Sequence, residues 1–499
     1  MRRVVIIGSG LGGLACGVIL AKNGYQVTVL EQGAQIGGCL QCFTRGGAKF
    51  ETGMHIIGSA GEGQTLDRLL QYLEVKGDLT LSQLDPTGYD IVSLGGRHFR
   101  FANGREAFIR QMADYFPHQR QALERYCDYV QKVAEMSVYS LQLTVDSLQL
   151  TVDNPRSLKF AETVADLKTD LMLRSINEVV DEVITDPLLA KVLVGNLPLY
   201  AAVRDKTPFS THAFVVDFYN QSTYRVVGGS DQIAVSLANT IRRYGGEVLA
   251  RRKVTRIVCD DSHATGVEAG DFVPADIVIS DVHPVRTLEM LDSRLIRPAF
   301  RQRINSMPQT VGVFSVYLHF KEQTVPYMNS NFFGYAGDTP WDCEDYDAES
   351  WPKGYLYMHL CHRVQPTYAR TGVILSYMQM KDVERWRGTA VGRRGADYEA
   401  FKQERAERLL GLVEQEFPGL RSQLQAYYTS TPLTYLDYTG TAEGSMYGVA
   451  KDVAMGAACR VPHRTRVPNV LQTGQNINSH GILGVIVGAT VTCGEIIRL

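Results

Sequence analysis

The first thirty residues carry two short apolar runs, 3–7 (RVVII) and 26–30 (QVTVL), separated by an Ala/Leu-rich stretch from about Gly12 to Asn23. Runs of that length read as strands and the stretch between them as a helix, so the chain opens on a βαβ unit. A second region of the same kind starts at Gly228-Gly229. It predicts a helix over 231–244, a turn at Gly245-Gly246, the segment VLARRKVTRIVCD, a polar turn at Asp261-Ser262-His263, and a strand run DIVIS ending at Ser280. A third piece, VLQTG at 470–474, precedes the Gly-rich apolar stretch 481–497. That stretch carries Glu495 and falls short of the ~20 residues a membrane span needs, so it is expected as a buried helix. Between these pieces, 91–219 and 291–431 are richer in aromatics and in amphipathic helical pattern, such as FKQERAERLLGLVEQEF. The pattern predicts one discontinuous nucleotide-binding domain (1–90, 220–290 and 432–499) with a substrate-binding domain inserted as 91–219 and 291–431.

One exact repeat interrupts the first insert: SLQLTVD at 140–146 recurs at 147–153. A seven-residue shift flips strand side chains to the other face but turns a helix face by only ~20°. The copies therefore fit a helix or the two arms of a hairpin turning near Asp146-Ser147, while the alternation of Leu141, Leu143 and Val145 points to strand. One tandem copy is too few for a solenoid. A duplication in a tolerant surface segment accounts for it.

Composition narrows the function. With 51 Lys and Arg against 53 Asp and Glu, the chain has no global basic field for nucleic acid or an anionic membrane. Its 45% hydrophobic and 21% charged residues are those of a globular protein. Nine cysteines is an odd number, and no secretory signal precedes them, which predicts a reduced, cytoplasmic setting. The 46 glycines in 499 residues exceed the usual share of about 7% and suggest close backbone approach to a ligand.

The first βα turn is Gly8-Ser9-Gly10-Leu11-Gly12-Gly13, with Gly8, Gly10 and Gly13 in the slots of GxGxxG. The first glycine allows the tight turn, the second lets a pyrophosphate meet the backbone, and the third lets helix pack on strand. Glu31, 18 residues beyond Gly13, ends the second strand run, where a carboxylate can accept ribose hydroxyls. NAD and FAD sites share this fingerprint, and the segments downstream of it discriminate between them. Gly37-Gly38, Cys39-Leu40-Gln41-Cys42 and FETGMHIIGS (50–59) continue the motif, and TPLTYLDYTGTAEGSMYG (431–448) and TGQNINSHGILGV (473–485) close the chain. These segments resemble the FAD-binding amine oxidase and phytoene desaturase superfamily, and within it the carotenoid isomerase and all-trans-retinol saturase branch.

The resemblance runs end to end and implies an α/β fold: a discontinuous Rossmann-type FAD-binding domain with an inserted α+β substrate domain. By it, Gly8, Gly10, Gly13 and Glu31 hold the adenosine diphosphate half, and Val254 offers backbone bonds to adenine. Gly38, Gly53, Met54 and His55 on one side and Gly474, Gln475, Gly484 and Val485 on the other frame the flavin. Many relatives have an acid where this chain has Gln475, an amide that still donates to phosphate or hydroxyl oxygens. The implied activity is that of a FAD-dependent oxidoreductase acting on carbon–carbon double or single bonds of an apolar polyene, retinoid or isoprenoid-like lipid. Cis–trans isomerisation without net redox, amine oxidation and a non-enzymatic carrier are the alternatives.

His55 and His480 belong to the segments set against the ring and are candidates for proton transfer, with Tyr438 as the competing proton donor. Among the insert's aromatics, Tyr200, Phe209 and Phe218, with His212 as a polar contact, are candidates for lining an apolar substrate site. Cys39 and Cys42 form a CxxC with no second ligand pair, so two neutral thiols are expected and no metal. No second complete GxGxxG supplies a separate NAD(P) domain, so the electron donor or acceptor stays open. An insoluble substrate further predicts peripheral contact with the inner membrane face through amphipathic stretches in 120–200.

Overall fold

The computed structural model describes residues 2–148, 170–477 and 479–497. Its nucleotide-side sheet has five parallel strands in the order Glu247–Leu249, Gln26–Leu30, Arg3–Ile7, Ile277–Ser280 and Val470–Gln472. The βαβ unit lies where the apolar runs predict it, with its helix at Leu11–Lys22. Gly12 to Ala21 of that helix are all buried, because the sheet lies on one side and the helices Asp231–Arg243 and Gly481–Ile497 on the others. Such a helix needs apolar or small residues all round. Gly17 is one of them: a Cβ there would come within 2.6 Å of the Ile241 side chain. The opposite face carries the antiparallel strands Arg256–Cys259, Ala264–Glu268 and Phe272–Pro274, packed through Ile257, Val267 and Val278.

The inserts are richer in strand than their pattern suggests. A seven-stranded sheet runs in the order Leu424–Ser430, Gly312–Phe320, Thr371–Met378, Gly354–His359, Asn331–Tyr335, Asp90–Leu94 and Arg97–Phe101. All its pairs are antiparallel except Asn331–Tyr335 with Asp90–Leu94. Every residue of Gly312–Phe320 is buried, because Tyr317 packs on Phe43 and Phe50 on one face, while Phe314, Val316 and Leu318 share a core with the helix Ala396–Val413 on the other. Strands buried on both faces lose the alternation that would betray them. The helix Arg120–Leu148 carries the first SLQLTVD copy, and the second copy lies beyond the described residues from 149 onward. Among the described residues no helix is long and apolar enough to cross a membrane.

Candidate functional site

The site begins at the carboxyl ends of the parallel strands, where open α/β sheets place their ligands. Gly8 takes φ 95°, and three neighbouring glycines leave no room for a side chain. A Cβ on Gly13 would lie 2.3 Å from the Gly8 carbonyl, one on Gly12 2.9 Å from Gly474 Cα, and one on Gly10 2.5 Å from Asp281 Oδ2. The turn after the first strand thus meets the turn after the last. Glu31, at the end of the second strand, accepts hydrogen bonds from Ser9 N (3.0 Å), Ser9 Oγ (2.6 Å) and Gly33 N (2.7 Å), which hold its carboxylate beside the glycine turn. Val254 buries its side chain while its peptide groups bond to no other described residue. A glycine cradle, an anchored acid and free backbone groups fit an adenine dinucleotide.

Asp281, which the sequence does not single out, follows the strand Ile277–Ser280 and presses its carboxyl between Gly10, Gly12 and Gly474. Its Oδ2 is shut off from solvent without a hydrogen-bond partner. Burial, reinforced by the charge of Glu31, pushes this carboxyl up to about 7. Its position past the end of a parallel strand, the same as that of Glu31, was the available signal.

Above the cradle lies a cavity of about 240 Å³. Gly10, Gly38, Gly53, Met54, Gly474, Gln475 and Val485 form its floor, and Tyr335, Tyr355, Leu356, Met358, Leu375 and Tyr377 of the seven-stranded sheet its roof. Gly53 is required because a Cβ would meet the Cys39 carbonyl at 3.0 Å. The helix Gly481–Ile497 points its N-terminus at this cavity, and Gly481, Ile482 and Val485 line it. Gly484 stands behind them, where a Cβ would lie 2.6 Å from Ser479 Cβ.

His55 also lines the cavity and is 6% exposed. Its Nδ1 lies 3.3 Å from Glu51 Oε2, and its Nε2 is buried with no partner. The backbone between them is fixed twice: Arg225 Nη1 donates to the His55 carbonyl (3.2 Å), and Tyr435 Oη donates to the Thr52 carbonyl (2.7 Å). In sequence, Glu51 is marked only as part of the segment FETGMHIIGS, yet its i, i+4 spacing to His55 is legible there. The dyad can hold or accept a proton at Nε2 while Glu51 steadies the charge at Nδ1. Cys39 and Cys42 are free thiols, and burial pushes them up to about 11 and about 12.

Several predicted residues lie elsewhere. His480 and Tyr200 face a second cavity of about 580 Å³, and burial together with nearby Lys451 lowers His480 to about 3. His212 is fully buried between the hydroxyls of Tyr126 (2.7 Å) and Tyr200 (2.6 Å), so its polar atoms are used within the core. Phe209 packs in the same core, and Phe218 in the core between the nucleotide-side sheet and its helices. Tyr438 is 58% exposed and lines neither cavity; Tyr435, one turn earlier on the helix Pro432–Thr439, is the tyrosine that faces the first. For Phe209, His212, Phe218 and Tyr438 the expected contacts are therefore corrected: three are core and one is surface.

A family model described as flavin containing amine oxidoreductase matches residues 11–488. The all-trans-retinol 13,14-reductase of Rattus norvegicus is 28% identical over 99% of this chain and 85% of its own length. Prolycopene isomerase 1, chloroplastic, of an Oncidium hybrid cultivar is 25% identical over 91% of this chain and 76% of its own. A crystal structure of an oxidoreductase from Methanosarcina mazei superposes with a TM-score of 0.64 at 15% identity, covering 98% of this chain and 99% of that one.

Proposed function

The chain belongs to the flavin containing amine oxidoreductase family, and from that membership we propose that it is a FAD-dependent oxidoreductase acting on carbon–carbon double bonds of an apolar polyene. The observation that carries this reading is the buried, unpartnered Nε2 of His55, a residue in the wall of an apolar cavity whose floor is the dinucleotide cradle. The rat relative named a retinol reductase, alike over nearly the whole chain, favours a retinoid-sized polyene and the saturating direction.

Flavin held over Gly38, Gly53 and Gly474 supplies hydride transfer at carbon. The chain's own residues do the rest. The Tyr335, Leu356, Met358 and Leu375 wall aligns an apolar chain and keeps water out, which raises the effective concentration of the aligned bond. His55 delivers the proton that saturation needs from Nε2, and Glu51 holds the imidazolium through Nδ1 until the proton leaves. In the desaturating direction the same nitrogen accepts the proton. The N-terminus of the helix Gly481–Ile497 places a positive dipole end at the cavity, where it favours negative charge on a reduced ring. Peripheral membrane contact remains part of the proposal, because a polyene must be collected from a bilayer; flotation with liposomes tests it.

The test of function is anaerobic mixing of dithionite-reduced enzyme with all-trans-retinol. Return of the flavin absorbance in step with loss of the polyene band is the expected result. A flavin that stays reduced while the polyene changes geometry would assign isomerisation instead, and no response to retinol or any carotenoid would overturn the reading.

A further inference from the structure

Six tyrosines stand in the wall of the first cavity among the described residues, and their hydroxyls are not used alike. Four donate their one proton to backbone carbonyls: Tyr335 to Gly195 (2.7 Å), Tyr377 to Leu197 (3.4 Å), Tyr447 to Pro198 (3.1 Å) and Tyr435 to Thr52 (2.7 Å). Tyr355 stacks on Phe332, and its hydroxyl is shut away in the interior. The sixth is Tyr219. Its hydroxyl forms no hydrogen bond with a described residue, yet it is not sealed in the interior, so it opens onto the cavity that Tyr219 lines. The other hydroxyls of the wall are engaged as well: Ser376 donates to the Gly354 carbonyl (2.7 Å), Thr439 donates to the Tyr435 carbonyl (2.6 Å), and Thr441 pairs with Thr439 (3.2 Å).

Tyr219 is held from behind. It belongs to the helix Phe209–Gln221, and its carbonyl accepts a hydrogen bond from Asn103 Nδ2 (2.8 Å). The neighbouring Phe218 packs on Gly58, where a Cβ would meet the Phe218 carbonyl at 2.6 Å, and Gly58 lies on the same segment as His55. The free hydroxyl and the proton donor proposed above thus rest on adjoining backbone. Burial, reinforced by Asp90, raises the phenol above the usual tyrosine range, so it stays a neutral group able to donate or accept. Among the described residues the cavity wall holds no Lys or Arg. An anionic end would lie there without a cationic side chain, and a hydrocarbon end would leave the hydroxyl unsatisfied.

Resting on the polyene reading above, we propose that Tyr219 determines specificity in this cavity: its hydroxyl binds the hydroxyl of a polyene alcohol, and the favoured substrate is a neutral polyene with one polar end, not a hydrocarbon. The four tyrosines whose protons are spent on backbone present that substrate with rings, which suit its apolar body.

Binding to oxidised, FAD-loaded enzyme reads this contact without turnover. All-trans-retinol and its hydrocarbon analogue, with CH3 in place of CH2OH, are titrated by fluorescence quenching into the parent, Tyr219→Phe and Tyr335→Phe. The ratio of the two affinities is compared between proteins, so the solubility of the probes cancels. It is expected to fall about tenfold from the parent to Tyr219→Phe, the usual worth of a hydrogen bond whose loss strands a buried partner. Tyr335→Phe, whose hydroxyl is spent on Gly195, should keep the parent's ratio. A ratio unchanged in Tyr219→Phe, or one that falls equally in Tyr335→Phe, overturns the proposal. Because the Tyr219 hydroxyl bonds to no described residue, its removal leaves the fold intact, which FAD content and circular dichroism check. Reoxidation is a separate readout: flavin that stays reduced with retinol while the ratio still falls in Tyr219→Phe removes the redox reading and keeps the alcohol site, and reoxidation with an unchanged ratio does the reverse.

Discussion

The floor and roof of the first cavity recognise their ligands by opposite means. The floor offers backbone: Gly10, Gly12 and Gly474 lie so close to one another and to Asp281 that any side chain would collide. The roof offers side chains, with Tyr335, Leu356 and Leu375 standing off a sheet buried on both faces. Backbone recognition leaves little tolerance for substitution, because the constraint is a missing Cβ. Side-chain recognition is distributed, and each member can change shape a little without loss of the whole.

The sharpest way to break that comparison is one substitution on each surface. Gly10→Val drives a side chain into the Asp281 carboxyl, and overpacking of about 2–3 kcal/mol corresponds to roughly 100-fold weaker FAD binding. The protein is expected to purify colourless and to recover little flavin on reconstitution. Leu375→Trp on the roof should purify yellow with one FAD per chain while losing retinol-driven reoxidation. Loss of FAD in the roof variant, or retention in the floor variant, would show that the two surfaces do not divide the work this way.

The next effect lies at the seam. His55→Gln removes the proton at Nε2 and should slow reoxidation by substrate by roughly 10²- to 10⁴-fold, the usual worth of a positioned acid, with FAD retained. Glu51→Gln should lose less, because the ring keeps a neutral acceptor at Nδ1 in place of the carboxylate. An unchanged rate in His55→Gln, measured by single-turnover mixing, removes the histidine from the chemistry.

The same division explains what the sequence disclosed. Missing side chains leave a regular trace, so Gly8, Gly10 and Gly13 after a strand run, with Glu31 at the next strand end, were legible, as were the strands Arg3–Ile7, Gln26–Leu30 and Ile277–Ser280. The roof left no such trace. Tyr335 and Tyr377 sit on strands without alternation, and nothing in residue type distinguishes them from Phe209 or His212, which lie in the core. The partners of His212, the hydroxyls of Tyr126 and Tyr200, lie 86 and 12 residues away along the chain, so its place in the core has no local mark. Asp281 has only its place past a strand end to mark it, since a single acid there has no motif spacing of its own.

Asp281 gives the floor a pH dependence that the roof lacks. Its carboxyl, about 7 instead of the ordinary 3.8, is largely protonated below that pH and ionised above it. A pyrophosphate bound at Gly10 and Gly12 tolerates the protonated form and is repelled by the ionised one, while Glu31 repels it at both and neutral Cys39 nearby adds no charge. FAD affinity should therefore be level below about pH 7 and fall above it, approaching about tenfold per pH unit while one proton is taken up on binding. Asp281→Asn should flatten the curve at its acid-side value. Fluorescence quenching of FAD across pH 6 to 9 reads this directly, and a parent curve already flat would remove the carboxyl from cofactor binding.

The smallest effect comes from one helix and tests how local the division is. Tyr435 and Tyr438 stand three residues apart on Pro432–Thr439, the first against the cavity and the second in solvent. Tyr435→Phe removes one hydrogen bond, to the Thr52 carbonyl, worth about 0.5–1.5 kcal/mol, and that carbonyl belongs to the turn that carries Met54 and His55. A loosened turn should cost the substrate step a few-fold and leave FAD affinity close to that of the parent, because the glycine cradle is untouched. Tyr438→Phe should change neither, since its ring touches no wall of either cavity. Were Tyr438→Phe the slower of the two in single-turnover reoxidation, the proton would come from the surface side of the helix, and the assignment of His55 would fall with it.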